Sequence, residues 1–200
     1  MTPSPRANQK NPVVLIHGLD DTPAKMSVMK RFLEKKGWTA EAIALSPSNG
    51  DVGLVVLAQQ LADFIDERLG EYPFIDLVGF SMGGIVGRYY VQRLGGIHRV
   101  QRFLTIASPH HGTWTGYLRQ NPGASQMRRL SLLLQDLNYE VAMLKQLKFT
   151  SIWTPFDLMI VPANSSQVPV GDDIKIPVLL HPWMVSDRRC LKAVAEQLRK

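Results

Sequence analysis

Short apolar runs alternate along the chain with longer segments in which apolar residues recur at helical spacing. The runs that have the length and composition of strands are 13–16, 38–45, 74–78, 100–107, 149–154 and 174–180. Helical patterns cover 24–36, 52–69, 82–94 and 187–198. Such alternation is typical of a parallel sheet wrapped by helices. The pattern therefore predicts an α/β fold with a mainly parallel sheet.

The segment 112–147 is the one long insertion between predicted strands. It contains two helical patterns, at 124–137 and 139–147, and we expect a helical insertion or a small lid. Leu132, Leu133 and Leu134 would form a lipid-docking surface if they faced an opening. Because no repeat, low-complexity tract or linker divides the chain, we expect a single domain over residues 1–200.

Length and cysteine content indicate a domain that needs no disulfides. A chain of 200 residues can bury a sizeable core, and its single cysteine, Cys190, is expected to have a packing role. Residues 1–11 are polar, contain proline and lack the apolar core of a signal peptide, so they are expected to form a flexible leader. No apolar stretch is long enough to span a bilayer. We therefore expect a cytoplasmic protein without a transmembrane segment.

The charge balance is basic, with 23 Lys and Arg against 17 Asp and Glu, a net charge of +6. Such a surplus would favour peripheral contact with anionic lipid, although an ordinary solvated surface is the simpler interpretation. Aromatic residues do not interleave with the arginines, and no zinc-finger or helix-turn-helix pattern occurs. A nucleic-acid partner is therefore not expected.

The most informative motif is Gly79-Phe80-Ser81-Met82-Gly83, which fits G-x-S-x-G at the junction of a predicted strand and a predicted helix. In this context the motif is a nucleophile elbow, a strained turn that lifts a serine hydroxyl clear of the sheet. Glycine at positions 79 and 83 would let the turn close tightly. A glycine-rich connection without chemistry is the alternative, and the strand-turn-helix context favours the elbow.

A serine hydroxyl needs a base to take its proton and an acid to orient that base. In hydrolases with this elbow the chain order is serine, acid, histidine. Among the histidines that follow Ser81, only His181 lies late and directly after a predicted strand. We therefore expect His181 to be the general base.

The acid is expected at Asp157, which follows the predicted strand 149–154. Asp136 is less suitable because its neighbours predict a helix. Asp172 and Asp173 remain as alternatives, although they lie in a glycine-containing loop where turn chemistry explains them.

Attack on an ester also requires donors for the negative charge that develops on the carbonyl oxygen. The backbone N–H of Met82, at the start of the elbow helix, is one candidate donor. The backbone N–H of Leu19, in the loop after the first strand, is the second. His17 is expected to be a hydrogen-bonded structural residue.

Apolar residues near the predicted site could line an acyl pocket. They include Trp114, Tyr117 and Leu118 in the insertion, and Trp183 and Met184 after the histidine. Packing of the insertion onto the sheet is the alternative role for these side chains.

The segments Val13–Leu19, Gly79–Gly84 and Ser108–Thr113 resemble α/β-hydrolase lipases and esterases, most closely small bacterial triacylglycerol lipases. The resemblance is dense up to Thr113 and thins beyond it. It implies a minimal α/β-hydrolase fold of about six strands flanked by helices, with a short helical insertion after the fifth-strand region. It also implies a Ser-Asp-His triad and no cofactor.

The expected function is a serine carboxylester hydrolase, a lipase or esterase that cleaves hydrophobic acyl esters through an acyl-enzyme. A thioesterase or acyltransferase with the same triad is the nearest alternative, and a catalytically silent binding protein is a further one. No metal is expected, because adjacent side chains at His110 and His111 point apart on an extended segment and no Cys or Asp cluster completes a site.

Overall fold

The computed structural model describes residues 10–200, and its centre is one sheet of six strands. The strands are β1 (Val13–Ile16), β2 (Ala40–Ile43), β3 (Ile75–Phe80), β4 (Val100–Ile106), β5 (Lys148–Trp153) and β6 (Asp172–Lys175). Their order is β2-β1-β3-β4-β5-β6, and every neighbouring pair is parallel. The predicted α/β fold with a mainly parallel sheet is confirmed.

The register of the sheet brings the carboxyl ends of its strands to one edge. Ile16 at the end of β1 pairs with Gly79 near the end of β3, and Ile106 of β4 pairs with both Phe80 and Ile152. The loops that follow β1, β3, β4 and β5 therefore leave the sheet side by side. Ligands of open α/β sheets bind outside this edge.

Helices cover both faces of the sheet. They are α1 (Ser27–Glu34), α2 (Leu54–Leu69), α3 (Met82–Arg93), α4 (Pro122–Gln126), α5 (Leu132–Tyr139) and α6 (Arg188–Gln197). Apolar side chains of α2, α3 and α5 form one core with the sheet, and those of α1 and α6 form a second core. Because both faces are covered, the inner strands β1 and β3 are buried at every residue.

The last predicted strand is shorter than its apolar run suggests. β6 covers Asp172–Lys175, whereas the run continues to residue 180. Pro177 has no N–H to donate to a ladder, and the N–H of Val178 bonds locally to the carbonyl of Ile176 at 2.8 Å. The apolar side chains of Ile176 and Val178 are nevertheless buried in the second core.

The insertion follows β4 and precedes β5, rather than following the fifth strand. Its first helical pattern is divided into α4 and α5 by a break at Leu130, whose φ is +61°. Ser131 then begins α5 as its N-cap and accepts a hydrogen bond from the N–H of Leu134 at 3.3 Å. The second pattern forms a short 3₁₀ helix, Val141–Gln146.

The predicted leader, residues 1–11, lies mostly outside the described residues. Its last two residues are held in place by contacts. The ammonium of Lys10 lies 3.8 Å from the ring centroid of Trp38, and Nδ2 of Asn11 donates to Asp76 Oδ1 at 3.1 Å.

A completely buried arginine, Arg88 of α3, ties the insertion to the domain. Its guanidinium donates to the carbonyl of Leu137 at 2.8 Å and to Oδ1 of Asn138 at 3.0 Å. Gln92, one turn later, also donates to the Leu137 carbonyl, at 2.9 Å. These acceptors are neutral, and burial lowers the pKa of Arg88 to about 9. A lid movement that included the end of α5 would have to break this buried network.

We predict that Arg88→Ala lowers the free energy of unfolding by about 3 kcal/mol or more, because it opens a cavity and removes the guanidinium donors to Oδ1 of Asn138 and Oε1 of Gln92. Arg93→Ala is the matched control on the same helix. Arg93 also binds the α5 region, but its partners Asp136 and Glu140 are exposed, and such pairs contribute about 1 kcal/mol or less. Urea unfolding measures both. Equal losses would contradict the anchoring role of Arg88.

Candidate active site

Ser81 occupies a sharp turn between the end of β3 at Phe80 and the start of α3 at Met82. Its backbone angles are φ +53° and ψ −121°, a region that residues with a side chain rarely adopt. The turn is held by two backbone hydrogen bonds. The N–H of Ser81 donates to the carbonyl of Ile106 at 2.8 Å, and the N–H of Gly84 donates to the carbonyl of Ser81 at 3.1 Å.

Two glycines permit this turn because the backbone on either side of it is very close. A Cβ at Gly79 would lie 2.6 Å from the Cα of Gly84. A Cβ at Gly83 would lie 2.5 Å from the carbonyl oxygens of Ile16 and His17. The first turn of α3 therefore packs directly on the carboxyl end of β1, and only glycine fits at these positions.

His181 and Asp157 are hydrogen-bonded to each other beside this turn. Nδ1 of His181 lies 2.7 Å from Oδ2 of Asp157, and both side chains are buried. The second carboxylate oxygen, Oδ1, accepts the N–H groups of Met159 at 2.9 Å and Ile160 at 2.8 Å. Because Asp157 accepts the Nδ1 proton, Nε2 of a neutral His181 is left free to accept another.

Ser81 and His181 line the same cavity, which has a volume of about 490 Å³. The His181 ring also lies against Phe80, with 4.9 Å between ring centroids. A cavity of this size can hold a small organic ligand. The structure thus brings together the three residues that the sequence analysis selected from distant parts of the chain.

The two predicted backbone donors lie at this cavity or beside it. Leu19 lines the cavity wall in the loop after β1. In the same loop a Cβ at Gly18 would lie 3.2 Å from the Cβ of Ser81, so the loop passes directly over the serine. Met82 is the first residue of α3, where the helix dipole favours an anion. The roles of both residues as donors remain predictions.

His17 has structural hydrogen bonds on both ring nitrogens. Its Nδ1 lies 3.0 Å from the carbonyl of Gly18, and its Nε2 accepts the N–H of Leu45 at 3.2 Å. Burial lowers the pKa of His17, in keeping with a neutral ring that donates through Nδ1. This arrangement agrees with the structural interpretation from the sequence.

The other candidate bases and acids have partners elsewhere. His110 is completely buried, its Nε2 lies 2.9 Å from Oγ1 of Thr105, and burial holds its pKa well below the usual value. Asp136 pairs with Arg93, and Asp172 pairs with Lys200 at 2.6 Å. Asp173 accepts from Ser151 at 3.1 Å.

Among residues 10–200, only Leu118 of the five side chains considered for an acyl pocket lines the cavity that contains Ser81. The prediction for Met184 is wrong, because its side chain is fully buried in the second core among residues of α1 and α6. Among residues 10–200, the cavity walls include neither Trp114 nor Tyr117. These two rings lie 5.5 Å apart, about half exposed, with Arg129 and Arg128 over their faces.

The cavity walls come largely from residues that the sequence analysis did not select. Leu158, Met159 and Ile160 directly follow Asp157, and Ala124 and Met127 come from the insertion. The three apolar residues directly follow the predicted acid in the sequence, and this position was the signal that could have identified them as cavity lining. Leu118, which the sequence did indicate, lines the cavity mouth.

Within residues 10–200, no helix has both the length and the apolar character needed to cross a membrane. Within the same residues, His, Cys, Asp and Glu side chains form no group of three or more suited to a metal ion. The absence of a metal or cofactor, contact with anionic lipid and a cytoplasmic location stay predictions.

Solved structures of other proteins share this fold. Mature Bacillus licheniformis lipase BlEst2 superposes with a TM-score of 0.82 at 17% identity, covering 98% of this chain and 94% of that one. Aspergillus fumigatus lipase B also superposes with a TM-score of 0.82 at 14% identity, and the match covers 96% of this chain but 53% of the lipase. Bacillus anthracis bromoperoxidase gives 0.71 at 14% identity, covering 96% and 93%. The fold is that of the α/β-hydrolases.

A family model supplies the narrower assignment. The model of palmitoyl protein thioesterase matches residues 12–135, which include the loop after β1, the turn at Ser81 and α3. The chain belongs to this family. It is an ester-cleaving hydrolase of the lipase and esterase class, and the resemblance found in the sequence is confirmed.

Proposed function

We propose that the protein is a serine carboxylester hydrolase that cleaves hydrophobic acyl esters through an acyl-enzyme. The observation that carries the proposal is the hydrogen bond of 2.7 Å between His181 and Asp157, beside a strained Ser81 that lines the same cavity. Nucleophile, base and orienting acid are the three groups that acyl transfer from serine requires.

The reaction proceeds in two transfers. The Oγ of Ser81 attacks the carbonyl carbon of the ester, and its proton moves to Nε2 of His181. The bond to the leaving oxygen breaks as that oxygen takes the proton, which leaves the acyl group on Ser81. Water then attacks the acyl carbon and gives a proton to His181. The carboxylic acid departs as Oγ recovers that proton.

The developing oxyanion would lie between the N–H groups of Leu19 and Met82. The position of Leu19 in a loop that passes over Ser81 supports this role. The N-terminus of α3 adds a favourable dipole at Met82. Donors fixed in advance stabilise the charge of the tetrahedral intermediate without reorganising.

The acyl group would occupy the apolar part of the cavity. Phe80, Met127 and Ile160 are buried apolar walls, and Leu118 and Leu158 are exposed at its mouth. The lining also contains the charged side chains of Asp20, Asp21, Lys25 and Arg119. A lining that combines apolar and charged side chains favours a substrate with an apolar acyl chain and a polar leaving group.

A thioesterase is the second candidate, and the match to the palmitoyl protein thioesterase family favours it specifically. The same serine, base and acid would act on a thioester. The difference lies in the leaving group, since a thiolate departs more readily than an alkoxide and depends less on the proton from His181.

We predict that Ser81→Ala lowers kcat by a factor on the order of 10⁶ and Asp157→Asn by about 10³ to 10⁴. In Asp157→Asn the amide NH₂ would face Nδ1 of His181, since Oδ1 is engaged by Met159 and Ile160. That would force the imidazole proton onto Nε2, where it blocks proton transfer from serine. Steady-state hydrolysis of a short acyl ester measures both changes.

The matched control is Asp172→Asn, which removes an exposed carboxylate paired with Lys200. It should leave kcat unchanged. If Asp157→Asn retained full activity while Asp172→Asn lost it, the acid assignment would be wrong.

We also predict that Leu118→Asp lowers kcat/KM for long acyl chains by about tenfold, because a carboxylate replaces one apolar contact at the cavity mouth. An acetyl ester should be unaffected. Leu132→Asp is the control, because Leu132 is 84% exposed, against 83% for Leu118, but lies away from the cavity walls. A selective loss in Leu132→Asp would instead support docking through α5.

The same acyl chains prepared as oxygen esters and as thioesters separate the two candidate functions. The proposal predicts turnover of the oxygen esters that depends on Ser81. Turnover of the thioesters alone would replace the carboxylester hydrolase with a thioesterase.

A further inference from the structure

A bidentate ion pair links the loop after β1 to the insertion across the cavity. Nη1 of Arg119 donates to Oδ1 of Asp20 at 3.1 Å, and Nη2 donates to Oδ2. The same guanidinium donates to the carbonyl of Asn49 at 3.3 Å, in the loop after β2. Asp20 and Arg119 both line the cavity that contains Ser81.

Asp20 is the residue directly after Leu19, the predicted oxyanion donor, and its backbone is unusual. Its φ is +57°, a left-handed conformation that only glycine adopts freely. Its N–H donates to the carbonyl of Ser48 at 2.9 Å. The backbone bond to Ser48 and the two side-chain bonds to Arg119 therefore fix Asp20 from both sides. They also hold the Leu19–Asp20 peptide, which directly follows the N–H of Leu19.

The ion pair contributes little to the stability of the whole domain. The side chains of Arg119 and Asp20 are 45% and 47% exposed, and water screens a pair in this position. Its planar two-bond geometry nevertheless constrains direction, because the guanidinium fork matches a carboxylate in one orientation. A contact that orients a loop without stabilising the fold is suited to positioning a group that the loop carries.

We propose that Arg119 is a positioning residue, which holds the Leu19 amide in the oxyanion hole through its ion pair with Asp20. The inference rests on the proposed serine hydrolase function. Arg119 lies in the insertion, after Leu118 of the cavity mouth, so the same segment would contact the acyl chain and order the oxyanion loop. The insertion would then complete the active site rather than merely cover it.

The test compares Arg119→Met and Asp20→Asn with the wild-type chain on one ester. Asparagine tolerates a left-handed φ, so Asp20→Asn removes the charge without imposing backbone strain. Displacement of a donor by a fraction of an ångström should lower kcat by about tenfold in each variant. KM should change by less than about twofold, because the contact acts on the transition state.

Two additional readouts separate positioning from a structural or substrate-binding role. An alkyl boronic acid forms a tetrahedral adduct with the serine, and its inhibition constant should rise by about tenfold in both variants. In the double variant Arg119→Met with Asp20→Asn, the loss of kcat should equal that of either single variant, because both remove the same contact.

The matched control is Arg189→Met. Arg189 forms a comparable two-bond pair with Asp187, at 3.0 and 2.9 Å, at the start of α6 and away from the cavity walls. This variant should retain the wild-type kcat. Arg119→Met and Asp20→Asn should change the thermal unfolding midpoint by no more than Arg189→Met changes it.

The results distinguish this inference from the function on which it rests. If Ser81→Ala abolishes turnover while Arg119→Met keeps both kcat and boronate inhibition, the positioning role is overturned and the serine hydrolase stands. A raised KM with unchanged kcat overturns it in favour of substrate binding by Arg119. If wild-type turnover does not depend on Ser81, the proposed function itself is wrong.

Discussion

The close approach of the first turn of α3 to the end of β1 is the constraint on which the site depends. A side-chain carbon at Gly83 would lie 2.5 Å from two backbone carbonyl oxygens, and one at Gly79 would meet the backbone of Gly84. Because these positions carry no side chain, Ser81 can adopt a positive φ at the edge of the sheet. The same approach brings the loop that carries Leu19 over the serine. The proposed nucleophile and the predicted oxyanion donors thus depend on a single packing contact.

The remaining groups depend on the parallel register of the sheet. Asp157 follows β5 and His181 follows β6, and these strands end at the same edge as β3. The two residues are 24 positions apart in the chain, yet they form a buried hydrogen bond. The backbone N–H groups of Met159 and Ile160 then hold the carboxylate in place. The proposed base and acid are therefore assembled without movement of a flexible element.

A structural feature could be predicted from the sequence where it is local or follows from the order of elements along the chain. The turn at Ser81 is predicted by a motif of five consecutive residues. Asp157 and His181 could be selected because each comes after an apolar run. Side-chain direction was not predictable in this way, because Met184 lies only three residues after His181 but points into the second core. The break in the insertion at Leu130 was missed because apolar spacing continues through it, although Ser131 is a recognisable helix cap. The direction of the Met184 side chain depends on tertiary packing, whereas the start of α5 at Ser131 carries a local signal in the sequence.

Labelling with an alkyl fluorophosphonate, followed by peptide mapping, shows whether Ser81 is an activated nucleophile. The reagent reacts with a serine only when an adjacent base activates it. We expect one adduct on the intact protein, located at Ser81, and its loss when His181 is replaced by alanine. An unlabelled Ser81, or a label that persists at full rate without His181, would contradict the proposed active site.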